Sequence, residues 1–531
     1  MVVAAERNAA KIGIEVLENG GNAIDAAVAV GYALAVTYPA AGNLGGGGFM
    51  TIRLVDGRTS FIDFRERAPK KATETMFQDD KGNVVEGRST STWLAVGIPG
   101  TVAGLEYARN RYGTKTRYQL IQPAIELADR GFIVSPGQQS LLADYSSGLS
   151  EDKEAAAIFM KDGKKQTWSS GDLLVQANLG NTLRLIQKQG SDGFYNGKIA
   201  EEIVRASTEG GGIMGLDDFA AYRPRELTPI TCRYRGYDII SAPPPSSGGV
   251  VLCEMLNILS GYDLKKMGFQ SPQAIHYSVE AMRHSFIDRN SALGDPAFVT
   301  NPVEALLDPN YASTIRATID AKKAGDSNKI KPGVAPHEGR QTTHYSVIDQ
   351  QGNAVAVTYT LNDYFGVGKV AGSTGILMNN EMDDFTAKVG VANIYGLMQG
   401  KANAIAPGKT PLSSMSPTII TKNGKVFMVL GSPGGPRIIT AVLQTIINVI
   451  DYGMTVDQAI DAPRFHHQWQ PDKVFIEPNG LPSPTRVQLE KMGHVIEVDT
   501  PWSHVAAILN DGKNYYGAND SRGYDGAAVG Y

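Results

Sequence analysis

Three hairpin signals, separated by long helical stretches, constrain this chain more than any other feature. Residues 45–69, GGGGFMTIRLVDGRTSFIDFRERAP, read as strand, turn at Asp56-Gly57, strand. Residues 341–362, QTTHYSVIDQQGNAVAVTYTLN, read as two short strands joined by a polar turn. Residues 417–435, PTIITKNGKVFMVLGSPGG, read as a third hairpin turning at Asn423-Gly424. Helical patterns fill the rest. Residues 5–37 predict two helices broken at Gly20-Gly21, residues 98–240 are mostly helical with polar loops, and further helices are expected at 250–265, 272–290 and 436–452. Strands concentrated around 45–65 and after 342, with helices between, favour an α+β class of layered structure with a largely antiparallel sheet. SAPPPSSGG at 241–249 predicts a rigid, extended loop. Residues 321–341, rich in Lys, Gly, Pro and Asn, are the most linker-like stretch.

The 531 residues are 42% hydrophobic, enough for a large core, and length alone suggests two to four domains. A net charge of −4 gives no basic excess pointing to nucleic acid or an anionic membrane. Two cysteines, Cys232 and Cys253, cannot make a disulfide framework or a four-cysteine zinc site, and they leave the redox compartment open. The first residues, MVVAAERNAAKIG, lack a signal-type apolar core. The apolar run Ala27–Val36 is too short to span a bilayer and sits in an amphipathic helical pattern, so a core helix and a soluble chain are expected.

The hairpin at 341–362 carries four threonines: Thr342, Thr343, Thr358 and Thr360. Placing Asp349 opposite Ala354 sets Thr342 opposite Leu361 and beside Thr360, within neighbour distance. Thr342 also sits where the linker meets a strand, a junction that can be cut without harming a core. Cleavage of Gln341–Thr342 would give Thr342 a free α-amine beside its own hydroxyl. An α-amine with a pKa of about 7.7–8.0 can serve as general base for that hydroxyl. Ordinary strand threonines fit the same segment.

Other motifs carry less. GNLGGGGFM lacks the ending of a phosphate loop and runs into a strand. His466-His467 lack metal-ligand spacing, so packing or hydrogen-bonding roles are expected. No G-x-S-x-G elbow is present.

The wider pattern resembles the γ-glutamyltranspeptidases, which belong to the N-terminal nucleophile hydrolases. TTHYSVIDQQGNAVAVTYTLNDYFG at 342–366 is similar to that family's signature segment. GGNAIDAAVAVGYALAVTYP, GNLGGGGFM, DFRERAP, PPPSSGG, NNEMDDF, PLSSMSPTI, GSPGGPRIIT and APRFHHQW resemble its other blocks, in its order and over nearly the whole chain. The resemblance implies a four-layer αββα sandwich. It implies a precursor that cuts itself before Thr342 into a large subunit, residues 1–341, and a small subunit, residues 342–531, intertwined in one fold.

The same resemblance assigns residues. Thr342 is the expected nucleophile and Thr360 its hydrogen-bonding partner, with Gln341–Thr342 as the cleaved bond; Thr343 and Thr358 belong to the sheet. Arg65 matches the arginine that binds the substrate α-carboxylate, although alone it also fits a surface ion pair with Asp63 or Glu66. Ser413 and Ser414 match the carboxylate-binding pair. Asn362, Glu381 and Asp384 match the positions that hold the α-ammonium. Some members have glutamine at the place of Glu381, so this pocket is the more acidic kind. Gly434 and Gly435 match the oxyanion hole, and two glycine N–H groups at a helix start suit that task. Tyr395, within 389–400, matches a lid over the glutamate pocket. The implied activity is transfer of a γ-glutamyl group from glutathione or related compounds to water, amino acids or peptides. It involves no cofactor or metal, in a periplasmic or secreted two-chain enzyme. A β-lactam (glutaryl) side-chain acylase of the same superfamily, or a non-catalytic amino-acid-binding relative, are the alternatives.

Overall fold

The hairpin at 342–362 lies at the centre of a seven-stranded antiparallel sheet. The computed structural model describes residues 1–161, 166–329, 342–523 and 525–531. The chain begins with β1 (Val2–Ala4), α1 (Arg7–Glu18) and α2 (Ala23–Thr37), and continues through β2 (Gly47–Arg53) and β3 (Thr59–Phe64). A region rich in helices follows, from Thr101 to Ala221. Next come β4 (Arg225–Leu227), β5 (Ile230–Tyr234), β6 (Tyr237–Ser241), α3 (Gly248–Leu259) and α4 (Pro272–Ala292). Beyond residue 342 lie β7 (Thr343–Ile348), β8 (Ala354–Thr360), β9 (Thr418–Lys422), β10 (Lys425–Gly431), α5 (Arg437–Ile450), β11 (Ala506–Asn510), β12 (Tyr515–Asn519) and β13 (Ala527–Val529).

The first sheet has the order β13-β1-β7-β8-β2-β3-β4, and the second β12-β11-β10-β9-β6-β5. Between their inner faces Val3, Ile348, Ala354 and Ala356 meet Ile240, Ile419, Val429 and Ile508. The outer face of the first sheet, through Tyr345, Val357 and Tyr359, packs on α1, α2 and the helices after Thr101. The outer face of the second, through Ile239, Ile420 and Met428, packs on α3, α4 and α5. These layers are helix, sheet, sheet, helix, the αββα sandwich that was expected. Each sheet takes strands from both sides of residue 342, so neither side owns a sheet of its own.

Two expectations change. Residues 225–241 form strands rather than helix: Arg235 and Gly236, both with positive φ (50° and 85°), make a tight turn between β5 and β6. Every residue of α2 is buried, so this helix is apolar all round rather than amphipathic. Cys232 and Cys253 form a disulfide that ties β5 to α3. Among the described residues no helix is long and apolar enough to cross a membrane.

The segment before residue 330 is held by elements from both sides of residue 342. His276 Nε2 lies 2.8 Å from the Asp320 carbonyl, Gly325 N–H donates to Glu280 at 3.1 Å, and Ser327 N–H donates to Asp472 at 2.8 Å. The remainder of the expected linker, 330–341 with Gln341, lies outside the described residues.

Candidate active site

The turn between β7 and β8 sets the site's register. Pairing runs from Thr343 opposite Tyr359 to Ile348 opposite Ala354, one residue away from the expected register. The cause is the loop. Gly352 N–H donates to the Asp349 carbonyl and Asp349 N–H to the Asn353 carbonyl, both at 3.1 Å, with Gly352 at φ 91°. Asp349 therefore closes on Asn353 through a glycine bulge instead of pairing with Ala354. Carried one residue further, the register sets Thr342 opposite Thr360 rather than Leu361. Both are buried, at 4% and 2% exposure, and both line one small cavity of about 20 Å³. Thr358 faces elsewhere and bonds His344 at 2.8 Å; burial pushes that histidine down to about 3, so it is neutral. The glycine run at 45–48 serves this sheet: Gly47 pairs with Thr360, and a Cβ at Gly46 would lie 2.0 Å from the Thr360 carbonyl.

Arg65, Asn362, Glu381, Asp384, Tyr395, Ser413, Ser414 and Gly435 line the same cavity as the two threonines. Arg65 leaves the end of β3 fully inside the protein and donates to both Glu381 and Asp384. It is not the surface ion pair that its neighbours in sequence suggested. Burial works to strip its proton, but Glu381, then Asp384 and Glu66, outweigh that and hold it charged. Burial pushes the carboxyls the other way: Glu381 and Asp384 rise above the usual carboxylate range, and Glu66 rises to about 7. Asn362 sits at φ 76°, and its N–H donates to Thr360 Oγ1 at 2.9 Å, which fixes the hydroxyl beside Thr342. Tyr395 comes down from the expected lid segment, with its hydroxyl 2.8 Å from the Asn362 carbonyl. Asp383, raised to about 7 chiefly by burial, accepts from Ile394 N–H at 2.9 Å and pins the same segment.

Gly434 and Gly435 stand just before α5, and among the described residues neither N–H has a hydrogen-bond acceptor. Glycine is needed at both positions. Gly435 has φ 54° and an added Cβ would sit 2.7 Å from the Tyr395 ring; at Gly434 it would sit 2.3 Å from Ser503 Oγ. Gly435 borders the small cavity, whereas Gly434 borders a larger groove of about 690 Å³ beside Tyr364, Trp502 and Ser503. Donor N–H groups at a helix start can stabilise an oxyanion, and that of Gly435 borders the cavity that Thr342 lines.

Sequence reasoning missed Arg289. It is buried in α4 and donates to Ser414 Oγ at 3.0 Å, on the wall of the same cavity. Nothing in IDRNSA marks it; only the fold brings it here. His466 and His467 are the packing residues expected: His466 bonds Thr440 and Gln468, both at 2.9 Å, and His467 bonds Asp472 at 3.2 Å.

The layers define the class: this is the fold of the N-terminal nucleophile hydrolases. The chain belongs to the γ-glutamyltranspeptidase family, whose model, described as "Gamma-glutamyltranspeptidase", matches residues 9–530. It is 57% identical to a glutathione hydrolase proenzyme of Pseudomonas sp. (strain A14), over all of this chain and 94% of that one. Among solved structures, a cephalosporin acylase from Bacillus halodurans is similar with a TM-score of 0.86 and 27% identity, covering 100% of this chain and 95% of its own. A γ-glutamyltranspeptidase chain from Helicobacter pylori is similar with a TM-score of 0.60 and 45% identity, covering 61% of this chain and 93% of its own.

Proposed function

We propose that this chain is a self-processing γ-glutamyltransferase and glutathione hydrolase with Thr342 as its nucleophile. The observation that carries the reading is one cavity in which a strand-initial threonine meets a buried arginine, two serines and two carboxylates. A γ-glutamyl group presents an α-carboxylate and an α-ammonium, and these side chains offer a partner to each. Arg65, Ser413 and Ser414 take the carboxylate; Asn362, Glu381 and Asp384 take the ammonium. Substrate entry exchanges partners: Arg65 gives up its bonds to Glu381 and Asp384 for the incoming carboxylate, and the freed acids accept from the ammonium.

Thr342 Oγ then attacks the γ-carbonyl, and its proton passes to the Thr342 α-amine. The Gly434 and Gly435 N–H groups receive the oxyanion. The amine returns the proton to the leaving nitrogen, which departs toward the groove beside Gly434. Water or an amino acid or peptide amine takes the acyl group from Thr342 by the reverse sequence. In the precursor the same hydroxyl attacks the Gln341 carbonyl, giving an ester that water cleaves. The products are a large subunit, residues 1–341, and a small subunit, residues 342–531, held together by their shared sheets. The extent of the Helicobacter pylori chain supports such a division, since 341 of 531 residues is 64% of this chain against the 61% it covers. The Cys232–Cys253 disulfide supports a periplasmic or secreted setting, where such bonds persist.

The high identity to a glutathione hydrolase and the acids facing an ammonium favour this reading over a glutaryl acylase. Comparison of γ-glutamyl and glutaryl anilides tests it. The γ-glutamyl compound is the expected better substrate, and its turnover is abolished in Thr342→Ala. A preference for the glutaryl compound, or retained turnover in that variant, would overturn the reading.

A further inference from the structure

Arg289 is a buried guanidinium with no hydrogen-bonded carboxylate among the described residues. It is 1% exposed, and among the described residues no acidic oxygen lies within ion-pair distance of it. Its donors go to four neutral oxygens: Ser247 Oγ at 2.9 Å, Asn290 Oδ1 at 2.9 Å, Gln399 Oε1 at 3.3 Å and Ser414 Oγ at 3.0 Å. Burial lowers its pKa to about 10, which still leaves it charged near neutral pH. Asp384 favours that charge from further off, but a guanidinium buried without a hydrogen-bonded counter-ion is costly and suits an incoming anion.

The direction of the Ser414 bond matters. A guanidinium has donors only, so Ser414 Oγ must accept from Arg289. The single hydroxyl hydrogen of Ser414 is then available elsewhere, and Ser414 donates to no group among the described residues. Ser413 is arranged alike: its Oγ accepts from Met415 N–H at 3.1 Å. Arg289 also holds Ser247, whose hydroxyl and N–H both donate to the Ser413 carbonyl, at 2.6 and 2.8 Å. The pocket's other arginine, Arg65, is already matched by Glu381 and Asp384.

We propose that Arg289 is a positioning and specificity residue for the substrate α-carboxylate: it turns the Ser414 hydroxyl into a committed donor and supplies the positive charge that makes the pocket accept an anion. This rests on the reading of Ser413 and Ser414 as the carboxylate-binding pair. It adds a group from α4 to the carboxylate end of the pocket, which Arg65 and the two serines line. The effect is separable from general acyl transfer, since the charge and the serine act on one end of the donor only.

The test compares three anilide donors: γ-glutamyl, glutaryl (carboxylate without ammonium) and 4-aminobutyryl (ammonium without carboxylate). Arg289→Met, Arg289→Lys, Ser414→Ala and the double variant Arg289→Met/Ser414→Ala are measured beside the parent, after each is shown to be processed. Where a variant is not processed, Arg289→Lys serves alone. In Arg289→Met, kcat/KM for the two carboxylate-bearing donors is expected to fall about 10- to 100-fold, mainly through KM, the scale of a lost charged hydrogen bond. The 4-aminobutyryl donor is expected to change less than about threefold. Arg289→Lys restores part of the loss, and the double variant costs little more than Arg289→Met, because without the arginine the Ser414 hydroxyl is no longer a committed donor. Equal losses for all three donors, or an unchanged carboxylate preference, would overturn the proposal. Should Ser414→Ala itself leave the preference intact while Arg289→Met abolishes it, the reading of the serines fails and the arginine acts directly.

Discussion

Arg65 and Glu381, 316 residues apart in the chain, are hydrogen-bonded to each other, and each is 1% exposed or less. Asp384 takes the other arm of the same guanidinium. The bridge joins the two sides of residue 342 at the bottom of the cavity that Thr342 lines. It gives each of the two buried acids a charged donor.

Arg65→Lys replaces a two-armed donor by a point charge. One acid then loses its partner, and an incoming carboxylate loses the bidentate grip. The donor KM is expected to rise about 10- to 100-fold with kcat changed only a few-fold. Steady-state kinetics with a γ-glutamyl anilide check this; an unchanged KM contradicts it.

Asp383 links pH to stability. Its folded pKa, about 7, lies above the ordinary 3.8, mainly through burial. The folded state therefore holds the proton that the unfolded state releases first. The contribution of this group is fully present below pH 4 and is lost as pH rises toward 7. Asp383→Asn is expected to flatten the fall in melting temperature between about pH 4 and 7 relative to the parent. Melting curves across that range decide it, and parallel slopes contradict it.

The hairpins were legible because Asp56-Gly57 and Asn423-Gly424 are turn dipeptides with a mechanism. The register of β7 against β8 was not, because one glycine, Gly352, takes a bulge that shifts every pair by a residue. Strands β5 and β6 do not stand out from the helical pattern before them: β5 is an edge strand whose Thr231 and Arg233 face solvent, so its pattern carries little apolar contrast. Their signal was Arg235-Gly236. The resemblance placed Arg65, Asn362, Glu381, Asp384, Ser413 and Ser414, and the fold brings them to one cavity. Arg289 was invisible because a buried arginine's partners come from distant segments, here 247, 399 and 414.

Gly435→Ala meets two obstacles, a left-handed φ of 54° and the Tyr395 ring 2.7 Å from the new Cβ. Relief of either shifts the N–H from its aim. A loss in kcat of about 10²–10³ is expected, the scale of one oxyanion donor. Single-turnover rates on processed enzyme test it, and a rate within threefold of the parent contradicts it.

The Cys232–Cys253 bond closes a loop of sequence separation 21 across the helical face of the second sheet. A loop of that order stabilises the fold by about 3 kcal/mol through the unfolded chain. Cys232→Ser with Cys253→Ser is expected to melt several degrees lower than the parent, and reductant should lower only the parent. Identical melting temperatures contradict it.

Intact mass with N-terminal sequencing of the purified protein decides whether Thr342 is freed as a nucleophile. Two species are expected in the active enzyme, the smaller beginning at Thr342, and one uncut, inactive chain for Thr342→Ala. An uncut protein that releases γ-glutamyl groups, a cut at another bond, or a Thr342→Ala chain that still divides before residue 342 would contradict it.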